Sequence, residues 1–297
     1  MKRHGIVLFE ALVVVFLVGS MLLLASSSFA RSRELSRRAV CAANIRGIGQ
    51  ACKIYANDFR EWWPVAPHNQ KKFVRVSAIG THRDDGDAPH ADPSVGQSLY
   101  ILIKAGGTTF KQFVCPEAFP NDNPDPTRNP MPYFDFMSAT TVSYGYQHPY
   151  GSSKAKPTER LAPQVAMLAD KCHYYVGAAL KAGKDTNFNA WAREAWRPYN
   201  SENHQREGQN VLFLDGHCSF ERTAACGMKR EGYPRNKPYP HKDLIYENAD
   251  GVFGGAAKGW PLDPIDSVLV HGPTIRPSKP RTAPGSRPAT PVDRPSW

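Results

Sequence analysis

The chain has 297 residues and a formal net charge of +10, room for one ordinary globular domain with a real core plus terminal appendages. The charge lies at the ends: residues 31–46 carry five Arg against Glu34, the segment from Gly272 onward four Arg and Lys279 against Asp293, and residues 47–271 hold 25 basic against 24 acidic side chains. With no phosphate-binding glycine loop and no interleaved basic and aromatic stripe, a nucleic-acid partner is excluded.

At the N-terminus Lys2, Arg3 and His4 precede Gly5, and from Ile6 to Ala30 the only charged side chain is Glu10. These 25 residues are enough to cross a bilayer as a plain anchor. Ser28-Phe29-Ala30 behind the apolar core also fits a signal-peptidase site. A carboxylate at the centre of a span costs roughly 2.5–3.5 kcal/mol, and neither an anchor nor a signal peptide benefits from it. Glu10 therefore points to a function of its own. Arg31, Arg33, Arg37 and Arg38 follow the run, opposite to the positive-inside pattern, and are placed to meet anionic lipid headgroups.

Cys41, Ile45, Ile48, Cys52 and Tyr55 recur at spacings of 4, 3, 4 and 3, one face of a helix. With no proline from Ala30 to Asp58, the pattern predicts one helix from about 6 to 58, with Gly47 and Gly49 as weak points. Beyond Pro67 the reading is of short elements and long loops. Phe73–Ile79 alternates like a strand, Leu99–Lys104 is a short apolar helix, and Phe113–Pro116 closes a short strand. Val142–Tyr146 and Val165–Ala169 read as strands. Val211–Leu214 and Cys218–Phe220, joined through Asp215-Gly216, form the clearest hairpin. The prolines recurring from Pro273 to Pro295 cannot bury a core, so that tail is expected to be disordered. The fold class is α+β: a long N-terminal helix packed on an antiparallel sheet, with long loops.

Six cysteines, at 41, 52, 115, 172, 218 and 226, permit disulfides in an exported domain, but their pairing is not readable from spacing. No close-spaced Cys/His set marks a metal site, since His217 and Cys218 are adjacent on a strand and point to opposite faces. Neither a metal nor another cofactor is expected. No serine or cysteine stands in a recognisable catalytic signature, so no catalytic residue is assigned and the chain is not expected to be an enzyme. Trp62, Trp63, Trp191 and Trp196 fit buried core better than a sugar site.

Gly5, Ile6 and Glu10, set in the apolar run, resemble the type IV pilin superfamily, which includes the pseudopilins of type II secretion. Its leaders end in Gly, and Glu stands at the fifth position of the mature chain; Ile6 occupies the place where Phe is more usual. The resemblance implies cleavage between Gly5 and Ile6 by a prepilin peptidase, N-methylation of Ile6, and pairing of Glu10 with the free amine of a neighbouring subunit during filament assembly. A buried charge is tolerable only when paired. It also implies a single-pass inner-membrane protein with its globular domain in the periplasm, or at the cell surface in a filament. The implied partners are other pseudopilin subunits, the inner-membrane platform of a secretion system and the lipid bilayer. The corresponding divisions are a leader 1–5, a transmembrane helix part 6–30, a soluble helix part 31–60, a globular domain 61–271 and a tail 272–297.

A second set of motifs is similar to the prepilin-type processing-associated domain, a family of pseudopilin-like proteins marked by a His, a spacer and Asp-Gly. Here these are His204, Asp215 and Gly216, with Cys41, Asn44, Tyr55, Cys115 and Pro116 as further matches. The spacer Gln205–Leu214 has ten residues, one more than is usual in that family. Asp215 is expected to serve the hairpin turn, His204 to tie the entering loop to that turn, and His217 to lie on the strand surface. The contexts of Cys41 and Cys115 within the resemblance suggest that these two pair. The function implied is that of a structural subunit of a type II secretion or type IV pilus-like filament. The alternative is an anchored or secreted binding module for a carbohydrate or a metal ion.

Overall fold

The computed structural model describes residues 2–68, 76–84, 89–90, 92–118, 122–150, 156–172, 196–230, 241–246, 261 and 263–271. Trp191 and the tail from Gly272 lie outside them, as do residues 73–75 of the strand expected at 73–79. The chain is α+β. Helix α1 runs over Lys2–Asp58 and α2 over Val95–Lys104. The strands are β1 (Tyr144–Gln147), β2 (Ala166–Asp170), β3 (Gln209–Phe213), β4 (Cys218–Glu221), β5 (Ala225–Arg230), β6 (His241–Leu244) and β7 (Leu269–Val270).

Five of these strands form one antiparallel sheet in the order β4-β3-β2-β1-β7, and β5 and β6 form a separate antiparallel pair. The C-terminal part of α1 packs on the five-stranded sheet. Cys41, Ile45, Ile48 and Cys52 are wholly buried there, at the spacing of one helical face. The stripe then passes through buried Ala56, while Tyr55 is half-buried and stacks on Phe59 with ring centroids 4.0 Å apart.

The sheet is covered on both faces. The core shared with α1 takes Val165, Leu168, Leu212, Leu214 and Val270. A second core takes Ala166, Ala169, Val211, Phe213 and Leu269 together with Trp196, Ile245 and Tyr246. Met167 and Leu168 are consecutive yet both join the helix-side core, because the β2–β3 register shifts between Ala166 and Leu168. A bulge of this kind turns one extra residue toward the same face.

Several expected elements change form. Helix α2 begins at Val95, ahead of the apolar run, because Ser94 caps it: the Gln97 N–H donates to Ser94 Oγ at 3.1 Å and the Ser94 N–H to Gln97 Oε1 at 3.1 Å. In place of a strand, Phe110–Phe113 forms a short 3-10 turn, and Gln112 Oε1 accepts the Thr109 N–H at 3.0 Å. The part of 73–79 that is described is not a strand, and Ser77 makes only an isolated bridge to Ser94. The β3–β4 connection is longer than a two-residue Asp-Gly turn. The Gly216 N–H donates to Phe213 O and the Phe213 N–H to His217 O, which leaves Leu214-Asp215-Gly216 as the loop. Gly216 takes φ +94°, as the left-handed residue of a three-residue hairpin loop requires.

Two further expectations are corrected. Among the described residues no helix is long and apolar enough to cross a membrane, which overturns the assignment of a single-pass inner-membrane protein. None of the six cysteines is in a disulfide; all are free thiols.

Candidate functional site

Four segments that are far apart in the chain meet beside the packed part of α1. Cys41 comes from α1, Cys115 from the loop after the 3-10 turn, Asp170 from the end of β2, and His204 from the turn Asn203–Arg206 that leads into β3. All four are buried, and one ligand-capable atom of each lies within 4.8 Å of the others. The Cys41 thiol donates to Asp170 Oδ1 at 3.1 Å. Cys115 Sγ lies 3.5 Å from His204 Nε2, which is 3.4 Å from Asp170 Oδ2.

The surroundings hold each group in place. His204 Nδ1 faces Glu117 Oε2 at 3.2 Å. Asp170 accepts from Asn203 Nδ2 at 3.1 Å, the Asn210 N–H at 2.8 Å and Asn210 Nδ2 at 3.3 Å. Asn44, off the apolar stripe of α1, donates from Nδ2 to Val114 O at 3.2 Å and so ties the helix to the segment carrying Cys115. The backbone at His204 is strained. His204, Gln205 and Arg206 have φ of 54°, 58° and 61°, the left-handed region that costs a non-glycine residue roughly 1–2 kcal/mol. Such strain persists only where the surroundings over-determine the conformation, as at functional sites.

Burial opposes a charge on His204, but the Asp170 carboxylate outweighs it and raises the imidazole to about 11. Burial likewise opposes ionisation of Asp170, and its charge pair and hydrogen bond with His204 hold it below the usual carboxylate range. Burial pushes the Cys41 thiol well up, reinforced by Cys115 and Asp170. Contact with the Cys41 sulfur, and then with the His204 imidazole, holds the Cys115 thiol below its ordinary value against burial. Without another cation, the site is thus an imidazolium–carboxylate pair with two thiols against it.

Of the residues singled out in the sequence, Cys41, Cys115 and His204 converge here, with Asn44 alongside. Tyr55 does not, and Pro116 is exposed. His204 does not tie its loop to the hairpin turn. Asp215 and Gly216 are exposed in that turn, where Asp215 Oδ1 accepts the His217 N–H at 2.9 Å and meets its Nδ1 at 2.5 Å. Glu10 is exposed on α1; for Gly5 and Ile6 only the helical backbone is described. Asp170 and Glu117 were missed. The signal for Asp170 was there: a carboxylate closing the apolar strand Ala-Met-Leu-Ala-Asp, where an acid is buried only with partners. Nothing near Glu117 in sequence points to it.

Elsewhere, Trp63 is buried, with Nε1 donating to Glu159 Oε1 at 2.6 Å, and Trp196 is buried in the second core, whereas Trp62, expected in the core, is exposed. A cleft of about 310 Å³ opens beside Tyr55, Phe59, Tyr100 and Lys104, without convergent acid and base groups among the described residues. Comparisons of the chain with protein-family models, with curated proteins and with solved structures gave no match.

Proposed function

We propose that this chain is a pilin-like structural subunit, trimmed after Gly5 by a prepilin peptidase and polymerised through the N-terminal part of α1 into a type II secretion or type IV pilus-like filament. One observation carries the reading: the two parts of α1 are built for different neighbours. From Cys41 to Ala56 one face is buried in the domain. From Phe9 to Met21 the apolar side chains are exposed, with Phe9 at 68%, Leu12 at 64% and Val15, Phe16 and Met21 at 72%.

An exposed apolar surface of this extent marks an interaction site. Leu12 to Val18 are seven consecutive exposed apolar residues, so they point in every direction around the helix. One partner helix covers one stripe; covering all sides takes several. Further copies of the same helix supply them. Glu10 is the one acid in the run, and the amine of a mature chain starting at Ile6 is the complementary charge. In this reading α1 serves as stalk and core together, and the antiparallel domain faces outward. The role is structural and asks for no catalysis.

N-terminal sequencing of the mature protein is expected to begin at a methylated Ile6. Glu10→Ala is expected to preserve cleavage and domain stability while abolishing polymer in cross-linking and sedimentation of cells expressing it alone. Leaving one member of a buried charge pair unpaired costs roughly 3–5 kcal/mol. Wild-type polymer from that variant, or a mature terminus at Arg31, would overturn the reading.

A further inference from the structure

We propose that Cys41, Cys115, Asp170 and His204 form a closed structural site for one zinc ion or a divalent cation of the same thiolate-preferring class. Two thiols, an imidazole and a carboxylate make up a four-ligand set of the kind zinc takes. The sulfurs select against magnesium and calcium, which prefer oxygen alone.

Geometry supports the assignment independently of composition. Zinc bound at about 2.3 Å to sulfur and about 2.0–2.1 Å to nitrogen or oxygen puts neighbouring ligand atoms of a tetrahedron roughly 3.3–3.8 Å apart. The separations here are 3.5 Å for Cys115 Sγ to His204 Nε2 and 3.4 Å for His204 Nε2 to Asp170 Oδ2. Cys41 Sγ to Asp170 Oδ1 is 3.1 Å, about that of a hydrogen bond; it lengthens slightly when the proton between them is replaced by the ion. With one atom from each residue the four donors lie within 4.8 Å of one another, so closing on the ion takes side-chain movements on the order of 1 Å.

The flanking groups are those that metal ligands require. A ligating histidine turns its other ring nitrogen to a carboxylate or carbonyl. Glu117 does this at Nδ1, which directs Nε2 into the cluster. The ligating carboxylate is itself held by Asn203 and Asn210. The Tyr144 hydroxyl is buried with no well-formed hydrogen bond, and its electrostatic neighbours are Cys41, Cys115 and Asp170. A metal-bound Cys41 thiolate is a stronger acceptor for this hydroxyl than the neutral thiol beside it. Three successive left-handed residues present His204, and a sulfur–metal–imidazole link is a contact strong enough to hold them. As the bonds to zinc form, each thiol gives up its proton to water and the His204 imidazolium gives up its Nε2 proton, keeping the one on Nδ1 that faces Glu117. With four protein ligands and no open position, the ion is structural rather than catalytic. It would cross-link α1, the Cys115 loop, the end of β2 and the turn before β3.

The test uses the full chain, purified in detergent under reducing conditions, stripped with a chelator and titrated with Zn²⁺ or Co²⁺ alone. One equivalent per chain is expected, with a higher melting temperature. Cobalt should give sulfur-to-metal charge-transfer absorption and the strong visible bands of a tetrahedral site. Cys115→Ser and His204→Ala should each weaken binding by at least about 100-fold, and Glu117→Gln by about tenfold, the usual effect of removing a ligand's hydrogen-bond partner. Cys218→Ser, outside the cluster, should leave affinity unchanged. If Cys115→Ser fails to fold, the wild-type cobalt spectrum and Glu117→Gln still decide. Absence of uptake, a cobalt spectrum without sulfur ligation, or a Cys41–Cys115 disulfide in the isolated protein would overturn the proposal. None of these readouts depends on filament assembly.

Discussion

His148 shows what burial does to one titratable side chain. It follows β1 with 1% exposure, and its Nδ1 accepts the Tyr150 N–H at 3.2 Å. Burial lowers it from 6.5 to about 3, so the native protein holds it neutral while the unfolded chain takes a proton near pH 6.5. A depressed native pKa stabilises the fold above the unfolded value, and the contribution is lost as pH falls toward the native one. At about 1.36 kcal/mol per unit, His148 should remove about 2 kcal/mol of stability between pH 7 and pH 5, and more down to pH 3. Urea unfolding of wild type and His148→Gln at pH 7, 6, 5 and 4 checks this. The variant should be less stable at pH 7 but flatter against pH, and equal slopes would refute it. A buried charge pair takes the other course: Lys171 Nζ meets Asp122, which also accepts from Ser143 Oγ at 2.7 Å. There burial is offset by a partner rather than by neutrality.

At the scale of elements, the junction of α1 with β3 turns on one glycine. In sequence Gly47 and Gly49 look equivalent, two residues of low helix propensity. In the fold they are not. A Cβ on Gly49 would collide with Cδ2 of Leu212 on β3, whereas one on Gly47 would meet only the end of the Gln112 side chain, at 2.9 Å. Leu212 is buried in the core and has no free volume to turn into. Gly49→Ala should therefore cost about 1–3 kcal/mol through overpacking. Gly47→Ala should be neutral or stabilising by up to about 1 kcal/mol, the propensity difference between the two residues. Paired thermal and urea unfolding separates them; equal effects would mean that α1 does not approach β3 as closely as the structure has it.

For the whole molecule, the division of α1 predicts where the chain can be cut. A chain beginning at Arg31 loses the exposed apolar side chains of Phe9, Leu12–Val18 and Met21, so its melting temperature should stay within a few degrees of the full chain's. It should also be monomeric in sedimentation. A chain beginning at Phe59 loses Ile45 and Ile48, worth roughly 3–6 kcal/mol together, along with Cys41 and Cys52. Against a total of about 5–15 kcal/mol for a domain, it should not fold, and a cooperative transition from it would show that α1 is dispensable. The sequence by itself determined what is periodic or local. The stripe Cys41–Cys52 comes from helical spacing, the Asp215-Gly216 hairpin from turn chemistry, and the α+β class with its antiparallel sheet from short apolar runs behind one helix. Tertiary structure decided the rest. A capping box moved the start of α2, two-faced burial put apolar side chains on both faces over Ala166–Ala169 of β2 and Val211–Phe213 of β3, and a bulge changed which residues of β2 face the helix. It also brought Asp170 and Glu117 to Cys41, Cys115 and His204. Those five residues span 163 positions, and no local pattern encodes a meeting at that separation: it exists only once α1 is seated on the sheet.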